Sequence, residues 1–198
     1  MAPAPGERRP SEVVERFRPT SGRVVGVLGL LLAAVVVVVG LRDGLDLAVV
    51  VGAVVGGVLV WSAVLRPGLA VTSETLVMRN MLETTEIPLA AIEEVAVRQF
   101  TAVRAGGKRY VSPVVGQTMR QLRKGDRAAT KPEPTASYPA FVEDRIRRLA
   151  ADAAAARGIK RGTPEQDALA RDVRRTPAWV ELGLLLLGLV VFVVALVV

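Results

Sequence analysis

Three long apolar blocks stand out from an otherwise mixed chain. Val24 to Leu41 is a run of eighteen uncharged residues, VVGVLGLLLAAVVVVVGL, and Leu47 to Leu65 gives nineteen more after the short joint Arg42-Asp43-Gly44-Leu45-Asp46. The third block, WVELGLLLLGLVVFVVALVV, ends the sequence and carries one charge, Glu181. A helix crosses the hydrocarbon core with about 20 apolar residues, down to about 17, whereas strands seldom exceed about 10. The pattern therefore predicts two antiparallel membrane helices over 24–41 and 47–65, forming a hairpin over 24–65, and a third over 178–198. The first block exceeds the roughly 7–15 apolar residues of a cleavable signal and is followed at once by a second span, so it is read as a span.

Between the second and third blocks the pattern changes to period two. Leu69 and Val71 alternate with other residues, Thr72-Ser73-Glu74 turns the chain, and Leu76 and Met78 share a face. A second turn at Asn80-Met81-Leu82 leads to Thr85, Ile87 and Leu89, and Val95 and Val97 resume the alternation. Gly106-Gly107 between FTAVRA and KRYVSPVV is a hairpin signal. Residues 66–115 thus predict five or six short antiparallel strands. Residues 116–136 lack apolar periodicity, contain Pro132 and Pro134, and read as a flexible basic loop. Tyr138, Phe141, Val142, Ile146 and Leu149 fall at helical spacing and predict an amphipathic helix over 137–158, with Glu143, Arg145, Arg147 and Arg148 on its other side. A small sheet needs such a cover on its apolar face. Thr163-Pro164-Glu165-Gln166 has the form of a capping box and predicts a polar helix or linker over 159–177.

Composition sharpens this outline. Of 198 residues, 51% are hydrophobic but only 4% aromatic, so the excess is Val, Ala and Leu gathered in blocks. The chain has no Cys and no His, which removes disulfides, thiolate chemistry, and the commonest general base and metal ligand. Net charge is +7, and its placement follows a membrane rule. Residues 1–23, a basic tail, hold five Arg; the 42–46 joint holds one against two Asp; residues 66–177 hold twenty Lys and Arg against thirteen Asp and Glu. The bias places tail and middle section in the cytoplasm of a multi-pass inner-membrane protein, with the joint and the C-terminus outside. The basic balance then needs no nucleic acid.

The stretch RPGLAVTSETLVMRNMLETTEIPLAAIEEVAV, 66–97, resembles the bacterial PH-domain-like membrane proteins, and most of all the actinobacterial group named for low molecular weight protein antigen 6. The resemblance rests on Arg66-Pro67 after the hairpin, on Thr75-Leu76-Val77-Met78-Arg79-Asn80, and on Ile87-Pro88-Leu89-Ala90-Ala91-Ile92-Glu93-Glu94-Val95. It implies an α+β membrane protein in which a small PH-like antiparallel sheet or barrel with a capping amphipathic helix is inserted between spans two and three. It implies no reaction.

Candidate chemistry is sparse. Eukaryotic PH-like domains often grip phosphoinositides with Lys or Arg on the loop between their first two strands; Thr72-Ser73-Glu74 has no base and one acid. The cluster Arg120, Arg123, Lys124 and Arg127 is the candidate contact with an anionic surface or a partner, at about 1 kcal/mol per residue on a lipid surface, and is otherwise a solvated cytoplasmic loop. Gly52 and Gly56 in the second span, like Gly22 and Gly26 at the start of the first, permit close helix approach, within the hairpin or in a homo-oligomer. Glu181 lies in the first turn of the last span, where headgroups and the helix dipole accommodate it. Adjacent Glu93 and Glu94 point to opposite faces of a strand and form no catalytic pair. Asp43 and Asp46 are too few for a metal. The glycines of VGAVVGGV lie inside a span, where a phosphate cradle is implausible. No catalytic residue, cofactor or metal is expected. The expectation is a non-enzymatic membrane protein with the lipid bilayer and an unidentified protein as partners. A membrane-bound enzyme of unplaced chemistry and a small subunit of a transport or envelope complex are the alternatives.

Overall fold

The computed structural model describes residues 13–19, 22–117 and 137–197. The predicted contact positions Arg120, Arg123, Lys124 and Arg127 lie outside them. Two compact units are present. One comprises Met1–Arg18, Gly68–Met78 and Glu86–Arg174; the other comprises Pro19–Pro67, Arg79–Thr85 and Arg175–Val198.

The first unit is built from strands β1 (Val13–Phe17), β2 (Gly68–Thr72), β3 (Thr75–Arg79), β4 (Glu83–Pro88), β5 (Ile92–Val97), β6 (Thr101–Ala105) and β7 (Lys108–Ser112), with β3 and β4 running on into the second unit at their turn. Helices α3 (Tyr138–Ala156) and α4 (Pro164–Leu169) follow. Two more helices, α1 (Arg23–Asp43) and α2 (Leu47–Val60), precede β2. A last strand, β8 (Arg174–Pro177), leads to α5 (Trp179–Val197). One sheet has the order β1-β2-β3-β4-β8 and the other β5-β6-β7. The fold class is thus α+β with antiparallel pairing.

Alternation decides what is inside. Leu69, Val71, Leu76, Met78, Ile87, Val95, Val97, Val103 and Tyr110 are buried together, and Phe17 of β1 joins them. The turns are specified locally. Thr72 Oγ1 accepts from the Thr75 N–H at 2.9 Å and meets Thr75 Oγ1 at 2.9 Å, fixing the β2–β3 turn. Gly106 and Gly107 both have positive φ, 55° and 69°, as a tight β6–β7 hairpin demands.

Helix α3 covers this core with Pro139, Val142, Ile146, Ala150 and Ala154, a stripe at three- and four-residue spacing. The stripe is rotated from the expected one: Tyr138 and Phe141 are exposed and stack on each other at 6.5 Å, and Leu149 is only partly buried. Alanines finish the stripe because small side chains let the helix lie close to β5. Glu143, expected on the outer side, instead accepts from the Val97 N–H at 2.9 Å. Arg147 Nη2 donates to Val95 O at 3.5 Å and Gln166 Nε2 to Ile92 O at 3.2 Å. Side chains therefore satisfy the outer edge of β5, which would otherwise invite another strand.

Two further features differ from the sequence reading. Residues 13–17, placed in the tail, form β1, which pairs antiparallel with β2 through Arg16–Ala70 and Phe17–Leu69. Of the polar helix or linker expected over 159–177, only Pro164–Leu169 is α-helical; a 3-10 turn, Ala170–Asp172, and β8 follow. No capping box forms. Thr163 Oγ1 donates to Lys160 O at 2.9 Å, while the Gln166 side chain turns inward.

The second unit contains three helices long and apolar enough to cross a membrane: Arg23–Asp43, Leu47–Leu65 and Trp179–Val197, with mean hydropathies of 3.1, 2.4 and 2.9. The second closes with a π-helical turn, Trp61–Leu65, in which Arg66 N–H donates to Trp61 O at 2.9 Å. Asp46 caps α2 by accepting from the Ala48 N–H at 2.8 Å. Helix α2 packs on α1 and on α5. Gly57 lies against Ala33 and Leu30, and Gly26 against Val64 and Leu65. Gly52 faces the Phe192 ring of α5, where an added Cβ would lie 3.1 Å from the ring. A Cβ on Gly56 would meet nothing within 4 Å, so the glycine that makes the close approach to α1 is Gly57.

Candidate functional site: a cationic cleft beside the glycine turn

Two polar arrangements are built by distant parts of the sequence. The first lies in the second unit at the ends of the apolar helices. Arg66 Nε and Glu181 Oε1 are 2.5 Å apart, with side chains only 15% and 11% exposed. Arg66 Nη1 also donates to Asn80 O, and to Met81 O at 3.1 Å. The Ala178 N–H donates to Leu82 O at 2.8 Å. One guanidinium thus joins the end of α2, the β3–β4 turn and the start of α5. Glu181 is not spread among headgroups but held in a nearly dry ion pair. A pair so desolvated is strong evidence of position and weak evidence of chemistry, because its mutual attraction is spent against desolvation.

The second arrangement lies in the first unit. Between the Gly106-Gly107 turn and the segment 161–171 is a cleft of about 810 Å³, with Glu93, Lys108, Tyr110, Arg161, Asp167 and Arg171 among its walls. Gln166 pins one wall. It is 1% exposed; its Oε1 accepts from the Gly162 N–H at 2.8 Å, and its Nε2 donates to Ala90 O at 3.3 Å and Ile92 O at 3.2 Å. On the other side the turn approaches so closely that a Cβ on Gly106 would stand 2.6 Å from Ala170 Cβ. Both walls are therefore fixed by contacts that do not involve the charged groups.

Compared with family profiles, curated proteins and solved structures, the chain matches none. The reading of the site rests on its own geometry.

Within the cleft, the carboxylate of Glu93 is already engaged. It accepts from the Gly107 N–H at 3.0 Å and lies 3.5 Å from Arg104 Nε, which points to it from outside the cleft. Glu93 is also the extra residue where the β5–β6 register shifts, since Ile92 faces Ala105 and Glu94 faces Arg104. Glu94 lines a separate groove of about 440 Å³ with Arg104 and Arg109. The two acidic neighbours thus serve different surfaces. Among the described residues no group of three or more metal-binding side chains occurs.

Sequence reasoning singled out Arg66, Glu181, Glu93 and the glycine pair one by one, without the partners that give them meaning. It did not single out Lys108, Arg161 or Arg171, and it read Gln166 only as part of a helix cap. The only local signal was the glycine turn followed directly by Lys108-Arg109. Gln166 looked like a helix cap because its spacing from Thr163 is that of one.

Proposed function

We propose that this chain is a non-enzymatic, multi-pass membrane protein that presents a PH-like module on the cytoplasmic side for contact with a protein partner. The observation that carries the reading is the pairing of β1 with β2 across the apolar hairpin. Strands before and after the two helices are neighbours, which supports a hairpin that leaves and re-enters on one side of a bilayer. The Lys and Arg excess of residues 1–23 and 66–177 supports a cytoplasmic placement of that side.

Membrane insertion is supported by what the three helices expose. Val24, Leu28, Leu32, Leu41, Leu186 and Val197 are all more than half exposed, and only 6–17% of each apolar window is buried. Covering one such side chain is worth about 1.5–3 kcal/mol, so whole helices of them need an apolar surround. The PH-like reading is supported by antiparallel strands in the order β1-β2-β3-β4, which β8 extends to five, by three more in the order β5-β6-β7, and by a following amphipathic helix on the shared core. With two residues between Leu65 and β2, the module has no tether of its own, which suits a device that works at the membrane.

Cross-linking in native membranes followed by purification of the intact protein tests the role. A specific protein partner, captured through residues of the first unit, is the expected result. Turnover of a substrate by the purified protein, with no partner captured, overturns it.

A further inference from the structure

The cationic cleft has no part in the reading above. Its charge balance is lopsided. Lys108, Arg161 and Arg171 make no ion pair among the described residues, whereas Glu93 is answered by Arg104 from outside. Asp167 is the one remaining acid in the walls. Three cations with no ion pair among the described residues thus line one cleft from three segments: the β6–β7 hairpin, the turn after α3, and the 3-10 turn after α4. A surface that merely keeps a protein soluble scatters such groups or pairs them. Here they rim a cavity whose volume, about 810 Å³, falls within the roughly 300–1,000 Å³ of small-molecule sites.

From this geometry we infer that the cleft binds a phosphate-bearing ligand. A carboxylate offers two oxygens in one plane and is satisfied by a single guanidinium fork. A phosphate group offers three oxygens and up to two charges, and it suits two forks and one ammonium arriving from different directions. Tyr110, 7% exposed at the wall, gives the cleft an aromatic flank beside the charges. The walls need little rearrangement, because Gln166 and the Gly106–Ala170 approach hold them. The phosphate can belong to a soluble compound or to a lipid headgroup; the chemistry of recognition is the same.

The test uses the full-length protein in nanodiscs of phosphatidylcholine, titrated with pyrophosphate and followed by calorimetry and by thermal midpoint. Saturable binding that raises the midpoint is expected, with no such rise from potassium chloride at matched ionic strength. Arg161→Gln and Arg171→Gln should each weaken binding about tenfold, and adding Lys108→Gln should abolish it. Arg109→Gln, outside the cleft, should leave it unchanged. These side chains are exposed, so the variants are expected to fold, which circular dichroism checks. Repeating the titration in nanodiscs containing phosphatidic acid separates the sources. A weakened pyrophosphate response there, seen in the wild type, identifies a lipid headgroup as the occupant; an unchanged response identifies a soluble phosphate compound. Absence of saturable binding, a rise reproduced by chloride, or full binding by the triple variant overturns the inference.

Discussion

Arg66 shows how much one side chain can organise. Its charge is compensated by Glu181, and the two carbonyls it reaches, Asn80 O and Met81 O, belong to the β3–β4 turn. Removing the guanidinium would leave Glu181 as a buried, unanswered carboxylate. Arg66→Ala is therefore expected to destabilise the helix ends by about 3–5 kcal/mol, whereas Arg66→Met combined with Glu181→Leu should recover most of that loss. Thermal unfolding of the purified variants in one detergent measures both. Equal melting of Arg66→Ala and the wild type would mean that the pair holds nothing in place.

At the level of elements, what was legible in the sequence is what is decided locally. Thr72 and the Gly106-Gly107 pair write their turns into adjacent residues, and the alternation through Leu69, Val71, Leu76 and Met78 needs no knowledge of the partner strand. Strands β1 and β8 escaped because neither carries an alternating apolar face: Phe17 is the only buried residue described in β1, and β8 is exposed throughout. Their pairing is fixed instead by strands remote in the chain. The face of α3 was misjudged because aromatic side chains outweigh alanines in a pattern, although Ala150 and Ala154 are what a close-lying helix buries. The cleft was illegible for a related reason: Gln166 finds its acceptors at Ala90 and Ile92, more than seventy positions away. Helix packing offers a direct comparison of two glycines that look alike in sequence. Gly52→Ile should drive a side chain into Phe192 and cost about 1–3 kcal/mol, while Gly56→Ile, facing open space, should stay within about 0.5 kcal/mol. Melting temperatures of the two variants decide it, and equal losses would contradict the described contact of α2 with α5.

For the whole molecule, the sequence supplies a convenient test of topology because it has no native cysteine. Gly44→Cys, in the joint between α1 and α2, should react with an impermeant maleimide in intact cells. Asp152→Cys, exposed on α3, should react only after the membrane is opened. Reversed labelling would turn the protein over and remove the cytoplasmic assignment of the module.

The order of strands also governs how the chain is made. β1 leaves the ribosome first, yet its neighbour β2 appears only after some fifty further residues, the whole of α1 and α2 included. Left to a loose loop, closing that gap would carry an entropic cost that grows with the logarithm of its length. Docking α1 beside α2 shortens the loop before β2 exists and brings the two strand ends within reach of each other. Closing the sheet is therefore expected to cost less once the hairpin has packed, and a hairpin that cannot pack is expected to leave β1 without its partner strand.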